Sequence, residues 1–566
     1  MTSDHASPPA GPGLDDAQAA AVTHGGRLLR ILAPPGSGKT RVLTRRVAWR
    51  VAGGVSPTRT VVVTFTRRAA GELSRRLAAL GVQGAAVGTF HGLAMRQLRQ
   101  RAADHRRPEP KVLTDPMVAL DELAPDLDRS VRPAILAEWA WAGARRLHPE
   151  EYAPTATEAG RTSPVDPDRI ADLLGAYADW KTRRGVLDFD DLLAAWVAAL
   201  RDDPDFGRAQ RWRFREVFVD EFQDVNPGQL AVVETLLDDD TSLTVVGDPD
   251  QSIYGWNGAE RSVLVDLDAR LPELETVELH TTYRCPRPIA EAAAAMLGRE
   301  VPVAVRGGDE PTIHEFDDDD DERAGVVSIL TAARAAGRDH GDLAVLTRTR
   351  AHADDLRSAC ERAGLPVAML GSDDDGVVIG TFHAAKGLEW PEVVLAGVED
   401  GRVPHRNAGS AEELAEEQRL LYVAMTRAID RLHLSWTQVR RSASSVVETG
   451  PSPFVSGIRS ATTPDAPAPW RVELERCRSA LHVHHEPSIR RRHTAVLAWR
   501  AELAERARCL PELIADDALL RALATDPPAD LAELGVRTGW GPASLDRYGP
   551  TLARALELPH PDVCSR

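Results

Sequence analysis

Residues 33–40 read APPGSGKT, and the fold turns on how these positions are read. They follow the apolar run RLLRILA (27–33) and open KTRVLTRRVAWRVA (39–52), so a buried strand leads through a glycine-bearing turn into a helix. In that setting the N–H groups of the turn and of the helix N-terminus converge on phosphate oxygens. Gly36 and Gly38 supply the tight curvature, Lys39 reaches the β- and γ-phosphates and Thr40 holds Mg²⁺, with Ala33, Pro34, Pro35 and Ser37 completing the loop. Ala33 stands where glycine is the usual first residue, which matters only if that position takes a positive φ.

The companion stretch is EVFVDEFQDVNPGQ (216–229), a strand ending in adjacent carboxylates. Asp220 is placed to hold the Mg²⁺ water shell, and Glu221 to orient and deprotonate an attacking water. Acidic pairs alone are usually surface residues. Downstream of a phosphate loop, at the end of a strand, the pair points to ATP hydrolysis rather than nucleotide binding alone.

The chain of 566 residues has room for several domains. TVVVTF, LTVVGD, LAVLTR, GVVIGTF and PEVVLAG read as buried strands; RRAAGELSRRLAAL and EEQRLLYVAMTRAI read as helices. That alternation predicts α/β domains with parallel sheets. Helical patterning over 96–185 interrupts the first set of strands, a Ser/Thr/Pro/Ala-rich linker is expected over 441–487, and the pattern beyond 488 is helical. Five dispersed cysteines (285, 360, 477, 509 and 564) form no C-x-x-C pair and argue against a zinc ribbon or disulfide framework. The chain has no run of about 18 apolar residues and no basic, then apolar, N-terminal signal, so it reads as cytoplasmic and free of membrane.

A net charge of −17 runs against contact with nucleic acid, but the acid is gathered in FDDDDDER (316–323), LDDD (237–240) and SDDDG (372–376). Only four residues are lysines: Lys39, Lys111, Lys181 and Lys386. Where arginine fills nearly every basic position, a retained lysine marks a place that wants a compact point charge.

Further motifs follow in order: LDDAQAAAV (14–22), TFTRRAAGEL (64–73), GTFHGLA (88–94), LDFDDLL (187–193), VVGDPDQSIYGWNGA (245–259), TTYRCPRPIA (281–290), GTFHAAKGLEW (380–390) and EEQRLLYVAMTRA (416–428). Together with the phosphate loop and DEFQDVN they resemble the UvrD/PcrA/Rep family of superfamily 1 DNA helicases. The resemblance implies two RecA-like P-loop motor domains, residues 1–95 with 186–275 and residues 276–440, and a helical insertion over 96–185. It implies that Gln18 reads adenine, Arg41 and Tyr283 flank the nucleotide, and Gln251 senses the γ-phosphate. Arg284 and Arg427 would be arginine fingers, and Glu389 would link DNA to the ATP cleft. Phe65, His91, Tyr254 and Trp256 match positions on the single-strand path, where stacking is tolerant of sequence. Thr282, Cys285 and Asn257 depart from the usual pattern.

The implied activity is an ATP- and Mg²⁺-dependent helicase moving 3′ to 5′ on single-stranded and partly duplex DNA, in repair or replication. The alternatives are a translocase that strips proteins from DNA with little unwinding and an ATP-regulated repair scaffold. The large helical insertion that bigger relatives carry in the second motor is missing, because LRSACERAGLPVAMLGSDDDGVVIGTFHAAKGLEW runs straight through. Residues 488–558 resemble an HRDC domain, a small all-α bundle, through which repair proteins or DNA would be engaged. Its basic residues cluster in IRRRH (489–493), with Trp499, Arg500, Arg506 and Arg508 following on the first helix.

Overall fold

The computed structural model describes residues 13–161, 163–370, 372, 374–441, 446–455, 458, 487–507, 517–538 and 542–558. Two six-stranded parallel sheets organise it, as the apolar runs predict. Across the first, the strands lie in the order Ala86–Thr89, Thr60–Thr64, Glu216–Val219, Ser242–Gly247, Leu28–Leu32 and Glu275–Glu278. Val61, Val62, Val217, Phe218, Val219 and Val245 are all buried, so both faces of the sheet are covered. The strand leading to the phosphate loop and the strand leading to Asp220 flank Ser242–Gly247. Three chain segments therefore leave the sheet side by side at its carboxyl edge, where ligands bind in such sheets.

The second sheet runs Thr312–Phe316, Ala428–Thr437, Trp390–Ala396, Leu343–Thr347, Val377–Thr381 and Val367–Met369, again all parallel. Only residues 370–376 separate the last two of these in sequence, and the two strands pair directly. No domain fits there.

Four expectations shift. The boundary between the motors at 275/276 falls inside strand Glu275–Glu278, which pairs with Leu28–Leu32 in the first sheet. The insertion boundary at 95 falls inside helix Phe90–Asp104, whose Phe90, Leu93, Ala94 and Leu98 pack into the first motor's core. The insertion's own core runs from Leu113 to Val186 around Trp139, Trp141, Tyr152, Tyr177 and Trp180, with Trp139 stacked on Tyr177 at 4.2 Å. In EEQRLLYVAMTRAI the helix Ala411–Met425 stops short, and Ala428 starts the strand Ala428–Thr437. Pairing on both sides of that strand overrides the local helical pattern. The expected linker also begins as structure: Val439–Arg441 pairs antiparallel with Val446–Glu448, and Val455 is buried in the second motor's core. Residues 459–486 of that linker lie outside the described residues.

The C-terminal region is a separate compact unit. Helices Pro487–Ala507, Asp517–Thr525, Leu531–Thr538 and Pro542–Ala555 surround Val496, Trp499, Leu520, Leu523, Leu534, Leu552 and Leu556. Trp499 is therefore core, its indole N–H donating to Thr551 Oγ1 at 3.0 Å, and Arg500 is buried too. Arg492 gives its Nε–H to the Ala524 carbonyl. These three side chains therefore serve the bundle's own packing; Arg508 lies outside the described residues. Among the described residues no helix is long and apolar enough to cross a membrane.

Candidate nucleotide cleft and nucleic-acid groove

The phosphate loop is built by backbone geometry. Gly36 (φ 74°) and Gly38 (φ 81°) are both left-handed, and Gly38 caps helix Lys39–Ala52. Gly36 also answers a close approach, since a Cβ there would stand 2.5 Å from Arg284 Cβ and 2.6 Å from Thr282 Oγ1. Ala33 is not among the positive-φ residues, and its N–H donates to the Gly247 carbonyl at 3.0 Å, so alanine fits. Lys39 Nζ lies 3.3 Å from the Ala33 carbonyl and 4.0 Å from Asp248 Oδ2, curled into the loop. Ser37 Oγ closes the turn on the Pro34 carbonyl, and buried Gln18 donates to the Ser37 carbonyl at 2.8 Å.

Asp220 and Glu221 leave strand Glu216–Val219 as expected. Glu221 takes φ 54°, ψ 41°, a left-handed conformation costly for a side chain with a Cβ and characteristic of functional sites. Gln223 fixes its carboxylate by donating to Glu221 Oε2 at 2.6 Å, while Gln223 Oε1 accepts the Asp248 N–H at 3.0 Å. Gln251 donates to Asp248 Oδ2 at 2.6 Å and accepts from Arg427 Nη2 at 3.3 Å. Burial drives the Asp220 carboxyl upward, reinforced by the charge of Glu221 and opposed by Lys39. For Glu221 burial acts the same way, but Lys39, Lys386 and the Gln223 bond outweigh it and hold it low. A hydroxyl on Thr40 and a carboxylate on Asp220 form a hard-oxygen donor set, which suits Mg²⁺.

The second motor closes the other wall. Tyr283 N–H donates to the Gly36 carbonyl at 2.9 Å and Thr282 Oγ1 to the Pro35 carbonyl at 2.8 Å, so the unusual Thr282 serves as a clasp on the loop. Tyr283 Oη reaches Asp15 Oδ2 at 2.6 Å. Arg284 pairs with Glu389 at 2.5 Å, and its Nη1 donates to the Thr426 carbonyl. Arg427 is buried, and burial together with the nearby Arg284 lowers its pKa to about 10. Arg41 lies on the same side: a Cβ on Gly13 would stand 2.9 Å from its Nη2. Lys386 crosses between the motors to Asp224 at 2.7 Å and to the Gln251 carbonyl at 2.5 Å. Lys39 and Lys386 thus both occupy the cleft, and Lys181 pairs with Asp188 and Asp191, so three of the four lysines hold partly or fully buried charge.

Past Gln251 the chain runs into a groove of about 540 Å³. Trp256 is 52% exposed there, edge-on to Tyr254 and His383. The far wall combines Trp141, Arg145 and Arg161 of the insertion with Arg348, His405 and Glu416 of the second motor. Phe65 and His91 belong to other contacts: Phe65 packs edge-on to Phe90 against the first core, and His91 meets the half-exposed Phe189 at 5.6 Å.

Sequence reasoning passed over Asp248, Gln223, His383 and the insertion's arginines. Asp248 carried a usable signal, a carboxylate at a strand end like Asp220.

Comparison with known proteins follows the same outline. The UvrD/REP helicase N-terminal domain matches residues 14–272, the UvrD-like helicase C-terminal domain residues 370–439, and the HRDC domain residues 491–556. The ATP-dependent DNA helicase UvrD2 of Mycobacterium tuberculosis is 30% identical over 689 residues, covering 96% of this chain and 98% of that protein. That alignment is longer than this chain of 566 residues, so the relative has segments this chain lacks. PcrA of Leuconostoc citreum is 32% identical over 63% of this chain and 50% of its own length, and DNA helicase II of Escherichia coli is 32% identical over 63% and 51%. With both motor domains and the HRDC domain matched, and a relative aligned over nearly its whole length, the chain belongs to the UvrD/PcrA/Rep-like superfamily 1 helicases.

Proposed function

We propose that this protein is an ATP-dependent DNA helicase that translocates 3′ to 5′ on single-stranded DNA in the cytoplasm, in repair or replication. The observation that carries the reading is the continuity of residues 248–256, which run from Asp248 and Gln251 beside the phosphate loop to Trp256 in the groove. One short segment would thus connect the nucleotide to the DNA.

Gln18 and Tyr283 engage adenine, Lys39 and the N–H groups around Gly36 and Gly38 hold the phosphates, and Gln251 senses the γ-phosphate. Glu221, oriented by Gln223, takes the proton of the attacking water. Arg284 and Arg427 neutralise charge that grows in the transition state. Thr40 and Asp220 would hold Mg²⁺, which when bound supplies electrostatic stabilisation of the phosphates. ATP draws the motors together through these contacts, hydrolysis releases them, and the alternating grip advances the strand. Trp256 supplies stacking of about 1–3 kcal/mol per base, while Tyr254 packs beside it against the second motor's core, with Lys386 over its ring at 4.9 Å.

The test is steady-state ATPase with and without oligo-dT, alongside displacement of a labelled strand from 3′- and 5′-tailed duplexes. Stimulation by oligo-dT with displacement from the 3′ tail only is expected; ATPase indifferent to DNA would refute the reading. The short 370–376 turn favours one second reading, a translocase that strips bound protein but unwinds poorly. Efficient displacement of streptavidin from biotinylated single strands with little duplex opening would select it.

A further inference from the structure

Helix Ala411–Met425 belongs to the second motor, yet it and the residue pair after it meet the 251–256 segment of the first motor at three levels. Just past the helix end, Arg427 donates to Gln251 Oε1 at 3.3 Å. Two turns earlier, Arg419 donates its Nε–H to the Ser252 carbonyl at 2.9 Å. Nearer the helix N-terminus, Glu416 lies against Gly255, so closely that a Cβ on that glycine would stand 2.3 Å from Glu416 Oε2. Positions 416 and 419 follow the spacing of three that aligns side chains on one helix face, and Arg427 folds back to donate its Nε–H to the Val423 carbonyl at 2.8 Å. Burial, with the nearby Arg261, lowers the Arg419 pKa, opposed by Glu416, Asp250 and Glu412.

The ends of the segment have their own anchors. Gln251 keeps Asp248, Arg427 and the Lys386 contact to its carbonyl. Trp256 keeps Tyr254 and His383. In the middle, Ser252 Oγ donates to the Gln223 carbonyl at 3.1 Å and Ile253 is buried in the second motor's core, while the Ser252 carbonyl is held across the domain boundary by Arg419.

We infer that Arg419, backed by Glu416, is a positioning residue that carries occupancy of the Trp256 groove to the Arg427 finger by pinning the Ser252 carbonyl between them. A base stacking on Trp256 displaces residues 254–256, and a pinned Ser252 turns that shift into movement of Gln251 against Arg427. Without the pin Ile253 stays buried, but the Ser252 carbonyl loses its donor and the backbone step between Trp256 and Gln251 is no longer tied to helix Ala411–Met425. Binding at both sites then persists while the coupling free energy between them is lost. The inference rests on the proposed function, since it needs an ATPase that answers to single-stranded DNA.

The test uses the full-length protein, Arg419→Ala and Arg419→Lys, with oligo-dT as the DNA. For Arg419→Ala the DNA-stimulated kcat is expected to fall about tenfold toward the unstimulated rate, while the unstimulated kcat, the KM for ATP and the Kd for oligo-dT each stay within about twofold. Arg419→Lys, which keeps a cationic donor on a different reach, should recover part of the stimulation. Unchanged stimulation in Arg419→Ala, or equal losses of stimulated and unstimulated rates in both folded variants, would overturn the inference alone. A wild-type ATPase blind to oligo-dT would overturn the proposed function with it.

Discussion

In the second motor, Glu322, Glu399 and Arg440 are buried together; in the cleft, Asp220, Asp224 and Asp248 are buried around Lys39 and Lys386. Arg440 bonds Glu399 Oε1 and Glu322 Oε2, each at 2.6 Å, and His352, Ser435 and the Gly397 N–H complete the shell of Glu322. Burial alone would raise the Glu322 carboxyl, but the bonds from His352, Arg440 and Ser435 hold it well below the usual carboxylate range. In the cleft burial prevails, and Asp224 rises to about 6 against the pull of Lys386. One cluster is electrically closed and ties helices to a sheet. The other is short of positive charge, which the Mg²⁺ of the proposed function would supply.

Breaking the open cluster should cost turnover and little stability. Lys39→Ala and Glu221→Gln are each expected to lower kcat by about 10³-fold or more, with Glu221→Gln still binding ATP because the loop and Asp220 remain. Arg284→Ala and Arg427→Ala should each lower kcat by about 10³-fold while weakening ATP binding far less. Urea unfolding of Glu221→Gln should show at most a modest loss, since the neutral amide gives up the attraction of Lys39 and Lys386 that holds the carboxylate low while the repulsion of Asp220 is relieved. A Glu221→Gln protein with normal turnover would show that another base acts.

Breaking the closed cluster should do the reverse. Arg440→Ala leaves buried Glu322 with His352 and buried Glu399 with Arg402 but removes the guanidinium that bridges them, an expected loss of about 3 kcal/mol in the unfolding of the second motor. The unfolding midpoint in urea, followed by tryptophan fluorescence, measures it. A loss below about 1 kcal/mol would mean that water reaches the pair and that the cluster is not closed.

The two clusters should also differ in the sign of their pH dependence. Glu322 has its folded pKa below the unfolded value of 4.5, so its stabilisation is complete above that value and fades only as pH falls through the lowered pKa. Asp224 has its folded pKa raised from 3.8 to about 6, so its contribution favours folding at low pH and is lost as pH rises through about 6. Between about pH 5 and 7, Asp224→Asn should therefore remove a downward slope in stability, and Glu322→Gln should leave the slope unaltered. Unfolding free energies at three pH values decide this; equal slopes in wild type and Asp224→Asn would sink the assignment.

What the sequence revealed follows the same division. The phosphate loop, the helix Lys39–Ala52 and the carboxylates at 220 and 221 are local patterns, and each is found where its residues suggest. The bond from Gln223 to Asp248 spans 25 positions, and the groove wall of Arg145, Arg161 and His405 is assembled from three distant segments. No periodicity in one stretch announces such meetings. Edge strands such as Glu275–Glu278 went unread because they are short and mostly exposed, with little apolar signal. The run MTRAI misled because its helical pattern is weaker than the two ladders that claim Ala428–Thr437.

The smallest effect is expected where a link between the motors is open to water. Tyr283 Oη donates to Asp15 Oδ2 at 2.6 Å, and Tyr283 is 41% exposed. Water can replace either partner, so the bond contributes little net free energy, about 0.5–1 kcal/mol. Tyr283→Phe deletes it and keeps the ring that faces adenine in the proposed function. Its KM for ATP should therefore rise by only about two- to fivefold with kcat nearly unchanged, whereas Tyr283→Ala, which also loses the stacking face, should raise KM further. Initial rates across ATP concentration separate the two variants. A loss in Tyr283→Phe as large as in Tyr283→Ala would place the importance of this residue in its hydroxyl and the Asp15 latch, and an exposed contact would then do what the comparison reserves for buried ones.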